Sequence, residues 1–231
     1  VKQNKLLNLI QANSNAPKRY EIKAEGDEAV VYLYDAIDSW YGVDASQFAK
    51  DLASVQCQTI HLRINSPGGD VFDGRAMQTA LSQHPAHVIA HIDGLCASAA
   101  TYVAMGANEI RMTDGGFFMI HKGWTIQLGN ADDMRESASL LDKIDNAICS
   151  DYKKRTGIDE SQIMEWMAAE TWFDAEEAKQ HGFVDEIVEG NAANNRFDVG
   201  AYGNAPKALT DKLPDNRKHL ERRLAMYERI A

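Results

Sequence analysis

The chain has 231 residues, 45% hydrophobic and 25% charged, which suits a soluble globular protein with one well-buried α/β domain and some chain to spare. A formal net charge of -10 argues against nucleic acid as the main partner, and no apolar run approaches the roughly 18 residues of a membrane span. Three cysteines, Cys57, Cys96 and Cys149, are odd in number and unpatterned, which favours a reducing compartment and no metal site.

Residues 1–27 are polar around a small apolar patch of Leu6, Leu7, Leu9 and Ile10, and read as weakly specified. KLLNLI is too short for a signal-peptide core and no A-x-A site follows it; the start at Val1 suggests a processed or trimmed end. AVVYLYDAI then reads as a strand, VDASQFAKDL as a helix with Asp44 as N-cap, and TIHLRIN as the next strand. From Asp70 the spacing of Phe72, Ala76, Met77, Ala80 and Leu81 predicts a helix, and HVIAHI a further buried strand. Strand–helix–strand repetition of this length points to parallel strands joined by βαβ units.

Three stretches carry chemistry. INSPGGD, Ile64 to Asp70, falls at a strand-to-helix turn where Gly68 and Gly69 could present bare backbone N–H groups to a reacting carbonyl. GLCASAATYV places Ser98 at the head of a small-residue helix, where unpaired N–H groups and the helix dipole favour negative charge on or near its oxygen. EIRM reads as a short strand, Gly115 and Gly116 as a turn, and FFMIH as a strand ending in His121, 23 positions after Ser98 and able to take a hydroxyl proton. Each piece alone also has a plain structural use: a turn, an N-cap, an edge histidine. Cys96, close to Ser98 in sequence, reads as a packed core thiol.

In this order and spacing INSPGGD, GLCASAA and FFMIHKGW, followed by YKKRTGI and ETWFDAEEAKQHGFVDEI, resemble the ClpP-type serine peptidases over about residues 28–189. IDSWYG, Ile37 to Gly42, resembles the phage and prophage branch of that family, the head maturation proteases. The resemblance implies an α/β fold, the ClpP/crotonase-like ββα superhelix. It also implies a nucleophile at Ser98, a base at His121 and an oxyanion hole from the N–H groups of Gly69 and Ala99. Where the family carries its catalytic Asp, this chain has Glu170. The nearby Asp174 is the alternative third residue, although with Glu177 it forms a D-x-x-E pattern that reads as a capping box for AEEAKQH.

The resemblance further implies a handle at about residues 124–156, with WTIQLGN as a strand. A long helix follows, with apolar positions Met134, Ala138, Leu141, Ile144, Ile148 and Tyr152, serving either the core or ring-to-ring contact. Residues 1–27 would line an axial gate. NAANNRFDVGAYGNAP reads as a linker within 190–231, and LPDNRKHLERRLAMYERIA as a C-terminal helix with Leu220, Leu224 and Tyr227 on one face.

The expectation is therefore a serine endopeptidase acting on polypeptide through an acyl-enzyme, with no cofactor. It would form a homo-oligomeric ring, a heptamer stacked as a tetradecamer, in the bacterial cytoplasm or a phage prohead. An AAA+ ATPase or capsid proteins are the candidate partners. The rival readings are a crotonase-like acyl-CoA enzyme, which shares the oxyanion logic but does not require Ser98 and His121, and a structural ring in which Glu170 marks lost catalysis.

Overall fold

The computed structural model of the chain describes residues 5–13, 19–190 and 197–210. A helix α1 (Lys5–Asn13) precedes a hairpin of β1 (Arg19–Glu25) and β2 (Glu28–Tyr34), paired antiparallel. Strict alternation in β2 buries Ala29, Val31 and Leu33 on one face. Three strand–helix steps follow: α2 (Ala45–Ala53), β3 (Thr59–Ser66), α3 (Val71–Gln83), β4 (His87–Ala97), α4 (Ala99–Ala104) and β5 (Glu109–Thr113). Strands β2, β3, β4 and β5 lie parallel, as the crossovers require.

Asp44 caps α2 by accepting from the Gln47 N–H, and Asp70 caps α3 by accepting from Phe72 and Asp73. Helices α2, α3 and α4 share one core with the sheet, built around Phe48, Leu52, Leu62, Ile64, Met77, Leu81 and Ile92. The alternate positions of β3 and β4 face the other way and include a polar group, with Arg63 paired to Asp93 at 2.5 Å and His61 Nδ1 2.9 Å from His91 Nε2.

The rest of the chain completes the sheet with β6 (Phe117–Ile120), β7 (Thr171–Phe173) and β8 (Glu186–Val188), joined through α5 (Ala131–Thr156), α6 (Glu160–Ala169) and α7 (Ala175–Gln180). The sheet order is β1-β2-β3-β4-β5-β8, with β6 pairing β4 and β7 off this path. Helix α5 has 26 residues, an Asn130–Asp133 capping box and a left-handed Gly157 at its end, so it is about 39 Å long. Its C-terminal half buries Ile148, Cys149 and Tyr152 in the core, while Met134 and Leu140 near its start are 43% and 52% exposed.

Three expectations change. WTIQLGN forms no strand: it runs without regular secondary structure and pairs with no strand among the described residues. Residues 1–27 are not weakly specified throughout: they supply α1 and an edge strand. The proposed linker is packed from Phe197 onward, where Phe197, Val199 and Tyr202 are buried and a short α8 (Lys207–Thr210) follows. Asn and Gly there concealed three large apolar side chains, and these meet Leu9, Leu95, Ala97 and Met119 in a second, separate cluster. The C-terminal helix expected over 213–231 lies outside the described residues.

Candidate active site

The site exists because β4 forks. Its first half pairs with β5 through Ile92↔Met112, and its second half pairs with β6 through Leu95↔Phe117, Cys96↔Phe118 and Ala97↔Met119. Both partners are parallel to it, so the residues just past the ends of β4 and β6, at Ala97 and Ile120, emerge at the same end of neighbouring strands. Ser98 and His121 are those residues. Their side chains meet, with Ser98 Oγ 2.7 Å from His121 Nε2.

Ser98 does not cap α4. Its side chain makes no cap bond, and its backbone sits at φ 53, a region L-residues rarely adopt. The turn is held by the Ser98 N–H donating to Met119 O at 2.9 Å and by Thr101 Oγ1 donating to Ser98 O at 2.6 Å, with Tyr152 behind Thr101. The hydroxyl is therefore free for His121. With Ser98 donating to Nε2, the imidazole proton belongs on Nδ1. Nδ1 is buried and has no partner among the described residues. Burial, with a smaller push from the Lys5 charge, lowers the His121 pKa from 6.5 to about 4, so the ring is a neutral base at pH 7.

The SPGG turn packs directly on this pair. Gly68 has φ +88, and a β-carbon there would stand 2.5 Å from Ala97 O and 2.7 Å from Ser98 Cβ. Gly69 bridges Ile37 through its neighbours: Gly68 O accepts from Ile37 N–H, and Asp70 N–H donates to Ile37 O. That pairing turns the N–H of Gly69 itself away from Ile37. Ala99 is the first residue of α4, so its N–H has no intrahelical acceptor. Both groups suit an oxyanion.

The antiparallel β6–β7 register runs Phe118↔Phe173, Met119↔Trp172, Ile120↔Thr171, so His121 and Glu170 are the residues that flank its last pair. Yet Glu170 ends α6 in a left-handed conformation, φ 52, and its buried carboxylate accepts from the Asn204 N–H at 2.6 Å and meets Lys5 Nζ at 3.6 Å. The structure does not join this carboxylate to His121. Asp174 is exposed and caps α7, in a capping box with Glu177. Cys96 is fully buried and its thiol pKa is pushed up by burial.

Against known proteins, the Clp protease family profile matches residues 26–191. The chain belongs to the Clp protease family. An ATP-dependent Clp protease proteolytic subunit of Streptococcus pneumoniae (strain 70585) is 27% identical over 192 residues, covering 80% of this chain and 98% of its own length. The subunit of another strain, Hungary19A-6, is 30% identical over 156 residues, covering 66% and 76%. A ClpP1 mutant from Listeria monocytogenes has the same fold, with a TM-score of 0.62 at 23% identity, covering 70% of this chain and 92% of that one. These matches do not favour the crotonase reading.

Outside the Clp family match lies the part of the site that sequence reasoning missed. Tyr202 is buried against the rings of His121, Trp124 and Trp172, and its hydroxyl donates to Pro67 O at 2.7 Å. Leu9, Ile10 and Asn13 of α1 line the same cavity of about 310 Å³, beside Ser98, His121, Val71 and Tyr102. The one available signal was the aromatic and aliphatic content of FDVGAY, spaced at every second or third residue within an otherwise polar stretch. No helix among the described residues is long and apolar enough to cross a membrane.

Proposed function

We propose that this Clp family member is a serine endopeptidase using Ser98 as nucleophile and His121 as general base. The observation that carries the reading is the 2.7 Å contact between Ser98 Oγ and a neutral imidazole, made by a serine that caps nothing. Ser98 Oγ attacks the scissile carbonyl while His121 Nε2 takes its proton. The tetrahedral oxyanion is stabilised by the N–H groups of Gly69 and Ala99, and the imidazolium then protonates the leaving amine. Water enters by the same route in reverse and releases the acid product. In this reading Glu170 holds Nδ1–H during these steps, after its carboxylate leaves the Asn204 N–H that binds it in the structure. Extended polypeptide binds by backbone pairing beside the SPGG turn, with apolar side chains entering the cavity lined by Val71, Tyr102 and Ile148.

The assembly we infer is a closed ring, heptameric and stacked in pairs. Its support is the projecting half of α5, whose Met134 and Leu140, with Leu128 just before it, are exposed apolar groups. The resemblance of IDSWYG to the phage and prophage branch supports capsid protein processing as the role, with an ATPase partner as the alternative source of substrate. Incubation with a fluorophosphonate probe tests the chemistry. Labelling confined to Ser98 and abolished in Ser98→Ala is the expected result, and labelling or peptide cleavage that persists undiminished in Ser98→Ala removes the reading.

A further inference from the structure

Residues 197–210 stand apart from the main core. Their apolar side chains belong to the second cluster, and their polar ties run to α1 and to the catalytic residues. Asn13 Nδ2 donates to Asp198 O and Asp198 N–H donates back to Asn13 Oδ1, both at 2.8 Å. Asn204 Nδ2 donates to Ala169 O at 2.5 Å, beside the N–H that holds Glu170. Lys5 of α1 reaches both the Glu170 carboxylate and, at 5.3 Å, the Trp124 ring. Such a unit, with its own small core, can open while the main domain stays folded.

The fit of this segment leaves a particular defect. Among the described residues, the buried side-chain donors without a partner are His121 Nδ1 and Trp172 Nε1, and both belong to rings packed edge-on against Tyr202. Meanwhile the carboxylate of Glu170, next to the last β6–β7 pair Ile120↔Thr171 as His121 is, is engaged by the backbone of Asn204. The Tyr202 hydroxyl occupies the carbonyl of Pro67, one residue before the glycine pair of the proposed oxyanion turn.

We propose that residues 197–210, clasped by α1, form an autoinhibitory strap: Tyr202 sits over the Ser98–His121 pair and Asn204 withholds Glu170 from His121 Nδ1. When the strap lifts, the Glu170 carboxylate loses its N–H donor and turns to the imidazole, and substrate takes the place of the Tyr202 ring. This rests on the peptidase reading and adds a resting state to it. Strap release completes the catalytic set and uncovers it in one step.

The test uses the full chain carrying Asn204→Pro, which deletes the N–H, or Tyr202→Ala, which deletes the ring, each with and without Glu170→Gln. Active sites are counted by fluorophosphonate labelling, and hydrolysis of a fluorogenic peptide is expressed per labelled Ser98, so misfolded protein does not enter the rate. Asn204→Pro should raise kcat at least about tenfold, a part of the ~10⁴-fold that an orienting carboxylate supplies. Glu170→Gln should cancel that gain. Tyr202→Ala should lower KM and speed labelling. Per-site rates that are unchanged or lower in both variants, or variants that do not label while the parent chain does, overturn the strap and leave the peptidase standing. Absence of labelling in every form, parent included, overturns the peptidase reading and the strap with it.

Discussion

Gly68 and Ser98 touch at a point where no larger residue fits: a β-carbon on Gly68 would lie 2.7 Å from Ser98 Cβ and 2.9 Å from Ala99 N. The SPGG turn and the turn at Ser98 are therefore a single packed unit, with an unusual backbone on both sides of the contact, φ +88 at Gly68 and φ 53 at Ser98. Gly68→Ala must relieve contacts with backbone atoms as well as a left-handed strain of about 1–2 kcal/mol. We expect the unfolding midpoint to drop and hydrolysis to fall by roughly 10² or more, because displacement of about 1 Å at a reacting centre has that effect. Wild-type turnover in this variant would show that the two turns move independently.

Ser98→Ala removes the proposed nucleophile and no structural hydrogen bond of the turn. Hydrolysis should fall by about 10³ or more, as on removal of other triad members. Stability should change by at most about 1 kcal/mol, since the hydroxyl forms no cap. A melting curve beside a peptide assay reads both quantities.

Glu170→Gln should reduce turnover of the activated enzyme by roughly 10²–10⁴-fold if, as proposed, the released carboxylate holds Nδ1–H. Asp174→Asn should be nearly neutral, because Asn and Asp cap helices about equally well and Asp174 is engaged in its own capping box. The reverse pattern in steady-state kinetics would give the role to Asp174.

His121 makes folding sensitive to acid. Its pKa is about 4 in the folded chain against 6.5 for the free side chain, so the unfolded chain binds more protons between those values. Its stabilising contribution is complete above about pH 6.5 and is lost as pH falls toward 4, to a total of about 3 kcal/mol. His91, lowered to about 4 mainly by burial, acts in the same direction. Denaturant unfolding at pH 7.5 and pH 4.5 measures the difference, and His121→Asn should shrink it. Equal slopes in the two proteins would mean that the ring is hydrated in the native state.

Met134 and Leu140 lie on the half of α5 that projects from the domain. Met134→Lys with Leu140→Lys should leave the melting temperature of the isolated domain nearly unchanged and shift the native mass to a smaller assembly. Retention of the parent mass would place the ring contact elsewhere.

What the sequence settled about this protein is what neighbours along the chain decide between themselves. Asp44 and Asp174 were legible as caps because each bonds an N–H three residues on. The strands of the parallel core were legible because alternation is written into a few consecutive residues. The quoted motifs also sufficed to nominate Ser98, His121 and Glu170 and to suggest the fold. Whether Ser98 reaches His121 was not written locally. It follows from the forking of β4, which sets two distant turns at one end of adjacent strands. The WTIQLGN strand failed for the complementary reason: β-propensity is local, whereas a ladder needs the fold to lay the segment along an edge, and this fold does not. The fate of Glu170 and of residues 197–210 was decided only by tertiary contact. A carboxylate binds whichever donor the fold brings nearest, and here that donor is the N–H of Asn204, 34 positions away. Three apolar side chains in a polar stretch find a core only if folding has already built an apolar surface for them, and β4, β6 and α1 together build it.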